Sequence, residues 1–227
     1  MVGRKGPFSE IERKLNVPNA HYPIELSMKN QTLSLLAVVS ACLLALFGCA
    51  PSGDGDSSEE KALTGPIADV QGTWITGCLP NDGTYESYTV KISGTSASQV
   101  GIVYSDSACT TELSKVSESF VFTIGDSIGF SDSSTGHKFT YSEGSIEMTS
   151  LNDLMTDLLN NENTCGITWA TNVAYNLNGK TCGTFTYPVK NTTMFNVYKL
   201  VGNNLYFGSA SSTSYPTTVS NPAFVKQ

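Results

Sequence analysis

The chain has 227 residues and a formal net charge of −7, room for one sizeable domain plus an N-terminal targeting region. From Cys49 onward it carries no arginine, and eight lysines face 17 carboxylates. A nucleic-acid binder needs cations to neutralise phosphates, so nucleic acid and nucleotides are set aside as partners.

The first element is a leader. Residues 1–27 show no strong pattern; they read as an over-extended gene start with Met28 the initiator, or as a long cytoplasmic n-region. From Met28 the chain runs "MKNQTLSLLAVVSACLLALFGC". Lys29 supplies a positive n-region, Leu33 to Phe47 an apolar h-region, and Gly48 a small residue before Cys49. That is the shape of a secretory signal peptide over residues 28–48. The ending Leu46-Phe47-Gly48-Cys49 resembles the bacterial lipobox. The resemblance implies a lipoprotein, in which the Cys49 thiol receives a diacylglycerol and a peptidase cuts before it. Two or more acyl chains then anchor the protein to a membrane without spanning it. Val39-Ser40-Ala41-Cys42 also resembles a lipobox, but cleavage there leaves Leu43 to Phe47 exposed at the mature N-terminus. Two further rivals are an uncleaved anchor, because Leu33 to Ala50 is about 18 residues, near the lower limit for crossing a bilayer, and an ordinary structural thiol at Cys49, which its position at the boundary disfavours. Residues 49–66, the lipidated cysteine and a stretch rich in Gly, Ser, Asp and Glu, read as a flexible tether. Ala50 stands where an aspartate retains Gram-negative lipoproteins at the inner membrane, so the resemblance implies the outer membrane.

Residues 67–227 read as one all-β domain. Glycine, serine, threonine and aromatic residues are frequent there, and period-two alternation with one apolar face marks half-buried strands. "YTVKIS" turns Tyr88, Val90 and Ile92 to one face, "VGIVY" Val100, Ile102 and Tyr104, "SFVFTI" Phe120, Phe122 and Ile124, and "KFTYS" Phe139 and Tyr141. "ITWATNVAYNL" does the same with Ile167, Trp169, Val173, Tyr175 and Leu177. Shorter runs carry Phe185 and Tyr187, Phe195 and Val197, and Leu205 and Phe207. Turn residues separate them at Asn81-Asp82-Gly83, Ser93-Gly94, Gly125-Asp126, Asn178-Gly179 and Gly202-Asn203-Asn204, the last reading as a hairpin. One segment changes period. "MTSLNDLMTDLLNNEN" spaces Leu151, Leu154, Met155, Leu158 and Leu159 as an amphipathic helix, with Ser150 as its cap and Asn160 to Asn163 as its end. It reads as a cover for a barrel mouth or sheet face, or as a mobile lid or docking helix.

Four cysteines remain outside the leader: Cys78, Cys109, Cys165 and Cys182. An even number in an exported domain implies two disulfides. Three pairings are open; Cys78–Cys109 and Cys165–Cys182 are favoured because each closes a local segment of adjacent strands. No pair has CxxC spacing, so a zinc site is not expected.

Eight to ten antiparallel strands with one inserted helix fit an up-and-down barrel, whose closure removes exposed edges; a β-sandwich is the alternative. Gly72-Thr73-Trp74 at the first strand resembles the G-x-W signature of lipocalins and related calycin barrels. That family packs an arginine of its last strand over the tryptophan, a residue type this chain lacks after Arg13. The resemblance implies a cavity for a small apolar ligand, with Trp74, Phe120, Phe122, Tyr141 and Trp169 as candidate lining. Plain core packing is the competing reading of the same aromatics.

Catalytic chemistry has little to stand on. After Cys49 the sequence holds one histidine, His137, which reads as an exposed turn residue. G-x-S-x-G, metal-ligand spacings and an EF-hand loop are absent from the sequence. The expectation is therefore a non-enzymatic lipoprotein without cofactor or metal. Its partners would be the membrane, through the N-terminal lipid, and either a small apolar ligand or another envelope component.

Overall fold

The computed structural model describes residues 63–227. Cys42, Cys49, the signal peptide over 28–48 and nearly all of the tether lie outside the described residues. A short helix α1 (Pro66–Asp69) is followed by β1 (Gly72–Ile75), β2 (Leu79–Asn81), β3 (Thr84–Ser93), β4 (Ser96–Tyr104), β5 (Glu112–Gly129) and β6 (Thr135–Ser150). Then come helix α2 (Asp153–Asn161), a 3-10 turn at Thr164–Gly166, and three short strands, β7 (Ala174–Asn176), β8 (Thr181–Cys182) and β9 (Phe185–Thr186). The chain ends with β10 (Thr193–Val201), β11 (Asn204–Phe207) and β12 (Phe224–Lys226).

Ten strands form one antiparallel sheet, and eight of them close into a ring: β1, β12, β11, β10, β6, β5, β4, β3 and back to β1. β1 completes the circuit by pairing β3 on one side (Trp74 opposite Val90) and β12 on the other (Trp74 opposite Lys226). The result is a closed ladder and not two facing sheets with free edges. Apart from β2 and the segment between β6 and β10, each ring strand pairs with the next in sequence, through short turns between β3 and β4 and between β10 and β11 and through a long loop, residues 208–223, between β11 and β12. Asp82 (φ 43°) and Gly83 (φ 88°) make the β2–β3 turn, and Gly202 (φ 58°) turns β10 into β11.

Three local expectations give way. Gly125-Asp126 is a bulge and not a turn: both residues stand opposite the single Lys138, and β5 runs on to Gly129. In β4 the inward phase belongs to Ala97, Gln99 and Gly101, which are buried, while Val100 and Ile102 are only half-buried. Tyr104 is buried because the register slips between Val103 and Tyr104. A strand with β-branched residues on its outer face defeats a reading by apolarity alone. His137 lies within β6 opposite Tyr198, its ring stacked on that tyrosine at 5.6 Å, and is not an exposed turn residue.

The segment 151–192 between β6 and β10 is an insert. Helix α2 is present, but Asn152 caps it: its Oδ1 accepts from Met155 N at 2.8 Å and its Nδ2 donates to Glu112 O. Ser150 is wholly buried, and its hydroxyl donates to Asn152 O. Met155 and Leu159 face inward, whereas Leu154 is 59% exposed. Of "ITWATNVAYNL" only Ala174–Asn176 is strand; Trp169 is buried as part of a loop and Val173 is exposed. Asn160 clasps the Trp169 backbone at both ends, accepting from its N at 2.7 Å and donating to its O at 3.0 Å. This local clamp explains why alternation there does not produce a strand.

Candidate functional site

Two apolar clusters share β5 and β6. The first fills the ring around Trp74, Val90, Phe120, Phe122, Phe139, Tyr141 and Leu205. The second lies under the insert and joins Leu113, Val116 and Ile146 to Met155, Leu159, Trp169, Leu177 and Tyr187. Of the five aromatics proposed as ligand lining, the ring brings four together: Trp74, Phe120, Phe122 and Tyr141. Trp169 is not among them. It belongs to the second cluster, where it meets Tyr175 edge-on at 5.1 Å and donates to Thr164 O.

Within the ring, an apolar void lined by Val70, Phe120, Phe122, Phe139, Tyr198 and Phe207, among others, has a volume of about 20 Å³. That admits about one water molecule and no larger ligand. Edge-on and tilted aromatic contacts, such as Phe120–Tyr141 at 5.4 Å and Phe122–Phe139 at 6.3 Å, occupy the surrounding space.

The Gly-x-Trp stretch has a definite local logic. Gly72 sits at φ 116°, which an L-residue rarely adopts, and the Lys226 stem passes 3.4 Å from where its Cβ would stand. Trp74 is 0% exposed, and its Nε1 donates to Val70 O at 2.8 Å, tying β1 to the end of α1. Lys226 Nζ lies over the indole at 5.1 Å from the ring centroid.

Between the two clusters runs a polar seam absent from the sequence-based list. Glu118 (4% exposed) and Glu143 (1%) both point into the fold. A bulge brings them together: Ser119 faces both Gly144 and Ser145, since Glu118 pairs with Ile146 and Phe120 with Glu143. Gln99 stands opposite Glu118 on β4 and is buried too. Both Glu118 oxygens are buried without a hydrogen-bond partner. Burial first, and the Glu143 charge second, push the Glu118 carboxyl well above its ordinary range. Three tyrosines feel the same charge. Tyr88 and Tyr141 are pushed up chiefly by burial, and Tyr187, again chiefly by burial and then by Glu118, to about 12. Tyr88 lies across Gly101, where a Cβ would come within 2.8 Å of its ring, so the glycine is what admits it. The readable signal for the pair was phase: Glu118 precedes Phe120 and Phe122, and Glu143 follows Phe139 and Tyr141, each on its strand's apolar face.

The four cysteines pair as Cys78–Cys109 and Cys165–Cys182. Disulfides form and persist in oxidising surroundings, which suggests an extracellular or periplasmic protein. The Asp106 carboxylate organises the loop carrying Cys109. It accepts from the backbone N of Ala108, Thr110 and Thr111 and from the Thr110 hydroxyl, and the bonds from Thr111, first, and Thr110 lower it to about 2. Among the described residues no group of three or more His, Cys, Asp or Glu is arranged to hold a metal, and no helix is long and apolar enough to cross a membrane. The chain matches no protein-family model and no curated protein.

Proposed function

We propose that the protein is a non-enzymatic envelope lipoprotein, anchored through acyl chains on Cys49, whose disulfide-braced ring is a rigid platform for interaction at the membrane surface. The observation that carries the platform reading is the filled interior: the apolar void is about 20 Å³, and four of the five residues nominated to line a pocket, Trp74, Phe120, Phe122 and Tyr141, pack in one cluster instead. The anchor rests on the lipobox resemblance and on two disulfides that fit export. The outer membrane follows from Ala50 beside the cysteine.

Fractionation of cells expressing the native chain and its Cys49→Ser form tests this. The native protein is expected in the outer membrane and released only by detergent; the variant is expected to lose acyl mass and become freely soluble or remain as an unprocessed precursor. Identical behaviour of the two forms would refute the anchor.

A second reading, a lipocalin-like carrier of a small apolar molecule, draws on Lys226. It holds its cation over Trp74 from the last strand, where the lipocalin resemblance places an arginine. It requires Phe120, Phe122 or Phe139 to move aside and enlarge the void. Native mass spectrometry of protein taken from its own membrane decides between them: an empty mass supports the platform, a stoichiometric apolar adduct the carrier.

A further inference from the structure

Glu118 is buried with neither carboxyl oxygen hydrogen-bonded. A carboxylate buried without hydrogen-bond partners keeps its charge only at great expense, so the neutral acid is the form this site accepts. The groups that face it come from every neighbouring element: Tyr88 on β3, itself hydrogen-bonded to Glu86; Gln99 opposite on β4; Glu143 and Tyr141 on β6; and Tyr187 from the insert. None is a cation. Glu118 lies between Val116, which belongs to the cluster under the insert, and Phe120, which belongs to the ring. Charge placed there falls on the boundary between the two cores.

The insert is also the part best able to yield. It meets the ring through the apolar cluster over Leu113, Val116 and Ile146, the three-pair ladder of β7 on β6, and backbone and side-chain bonds such as Leu177 N to Ile146 O, Asn191 N to Glu143 O and Ile146 N to Asn178 Oδ1. The strands of the ring that carry Glu118 and Glu143 pair over thirteen positions, β5 with β6, whereas β12 closes the ring through two positions on each side.

We propose that Glu118 is a proton-operated latch: as the neutral acid it lets the insert seal the foot of the ring, and loss of its proton to solvent releases the Tyr187 side of the insert. Outside the cytoplasm pH follows the surroundings, so such a latch couples the exposure of residues 174–188 to external pH. Because folding favours the protonated form, the closed state is fully held below the ordinary carboxylate range. It weakens as pH rises through the window up to the folded-state ionisation point, then levels.

The test is amide exchange on the full disulfide-bonded domain at a series of pH values, corrected for intrinsic base catalysis. It is paired with carbon NMR titration of the Glu118 carboxyl, assigned through E118Q. The Glu118 carboxyl is expected to titrate above the ordinary carboxylate range. Protection of residues 174–188, relative to the ring strands, is expected to fall roughly tenfold per pH unit across the window. E118Q should hold that protection constant. E143Q, which removes the like charge, should make the fall level off at lower pH, giving a second readout should E118Q fold poorly. Titration of Glu118 in the ordinary carboxylate range would overturn the proposal. So would an insert whose protection follows the same pH course in wild type and E118Q.

Discussion

The ring and the insert are two ways of making a core from one chain. The ring is held by a closed hydrogen-bond ladder that positions alternate side chains inward, and its aromatics then fill what the ladder encloses. The insert has little ladder of its own. It is held by its apolar cluster against β5 and β6 and by point attachments: the Cys165–Cys182 bridge, the Asn160 clamp on Trp169, and the Thr156 hydroxyl between Ser150 and Thr171. A ladder distributes stability over many weak, equivalent bonds, whereas attachments concentrate it in a few. Substitutions should therefore act globally in the ring and locally in the insert.

The largest effect is expected at Trp74. Replacing this fully buried residue with alanine removes its packing and the Nε1 bond to Val70 O, at about 3–5 kcal/mol. Chemical denaturation should show ring and insert failing together; an insert that survives alone would break the comparison. Next is the second disulfide. Changing Cys165 and Cys182 together to serine removes a bridge that closes 17 residues of separation, about 3 kcal/mol in the chain-entropy model. Limited proteolysis should cut within 151–192 first while ring amides remain protected. Cleavage of ring and insert at equal rates would show that the insert is not the weaker unit.

Glu118→Gln sharpens the contrast through pH. The folded state raises the Glu118 ionisation point through burial and the Glu143 charge. Its favourable contribution is thus present at low pH and lost as pH climbs from the ordinary carboxylate range, at up to about 1.4 kcal/mol per pH unit. The variant should match wild type near pH 4 and exceed it at neutral pH in thermal unfolding. Smallest is Asn152→Ala. Loss of the cap to Met155 N should cost about 1 kcal/mol, seen as faster amide exchange in α2 with ring exchange unaltered.

Legibility divides along the same line. In the ring, where burial follows the pleat, Tyr88, Val90, Phe120, Phe122, Phe139 and Tyr141 could be assigned inward from alternation alone, and they are buried. β4 escapes because its inner face is built from Ala97, Gln99 and Gly101, small or polar residues of which Gly101 makes room for Tyr88, while valine and isoleucine lie outside. In the insert, "ITWATNVAYNL" alternates like a strand but is held by side-chain clamps that connect residues not periodic in sequence. Both disulfides were legible from local spacing. The Glu118–Glu143 seam escapes a sequence reading because the β5–β6 register and its bulge decide which of many carboxylates meet, although the phase of each with neighbouring aromatics points inward.

The claim that this ring is tied to the cell envelope by its N-terminus is tested most directly by intact mass analysis of protein recovered from its own membrane. The expected mass begins at Cys49 and carries diacylglyceryl and a further acyl chain, with two disulfides formed. A mass that retains residues 28–48, or that begins at Cys49 without acyl groups, would contradict it.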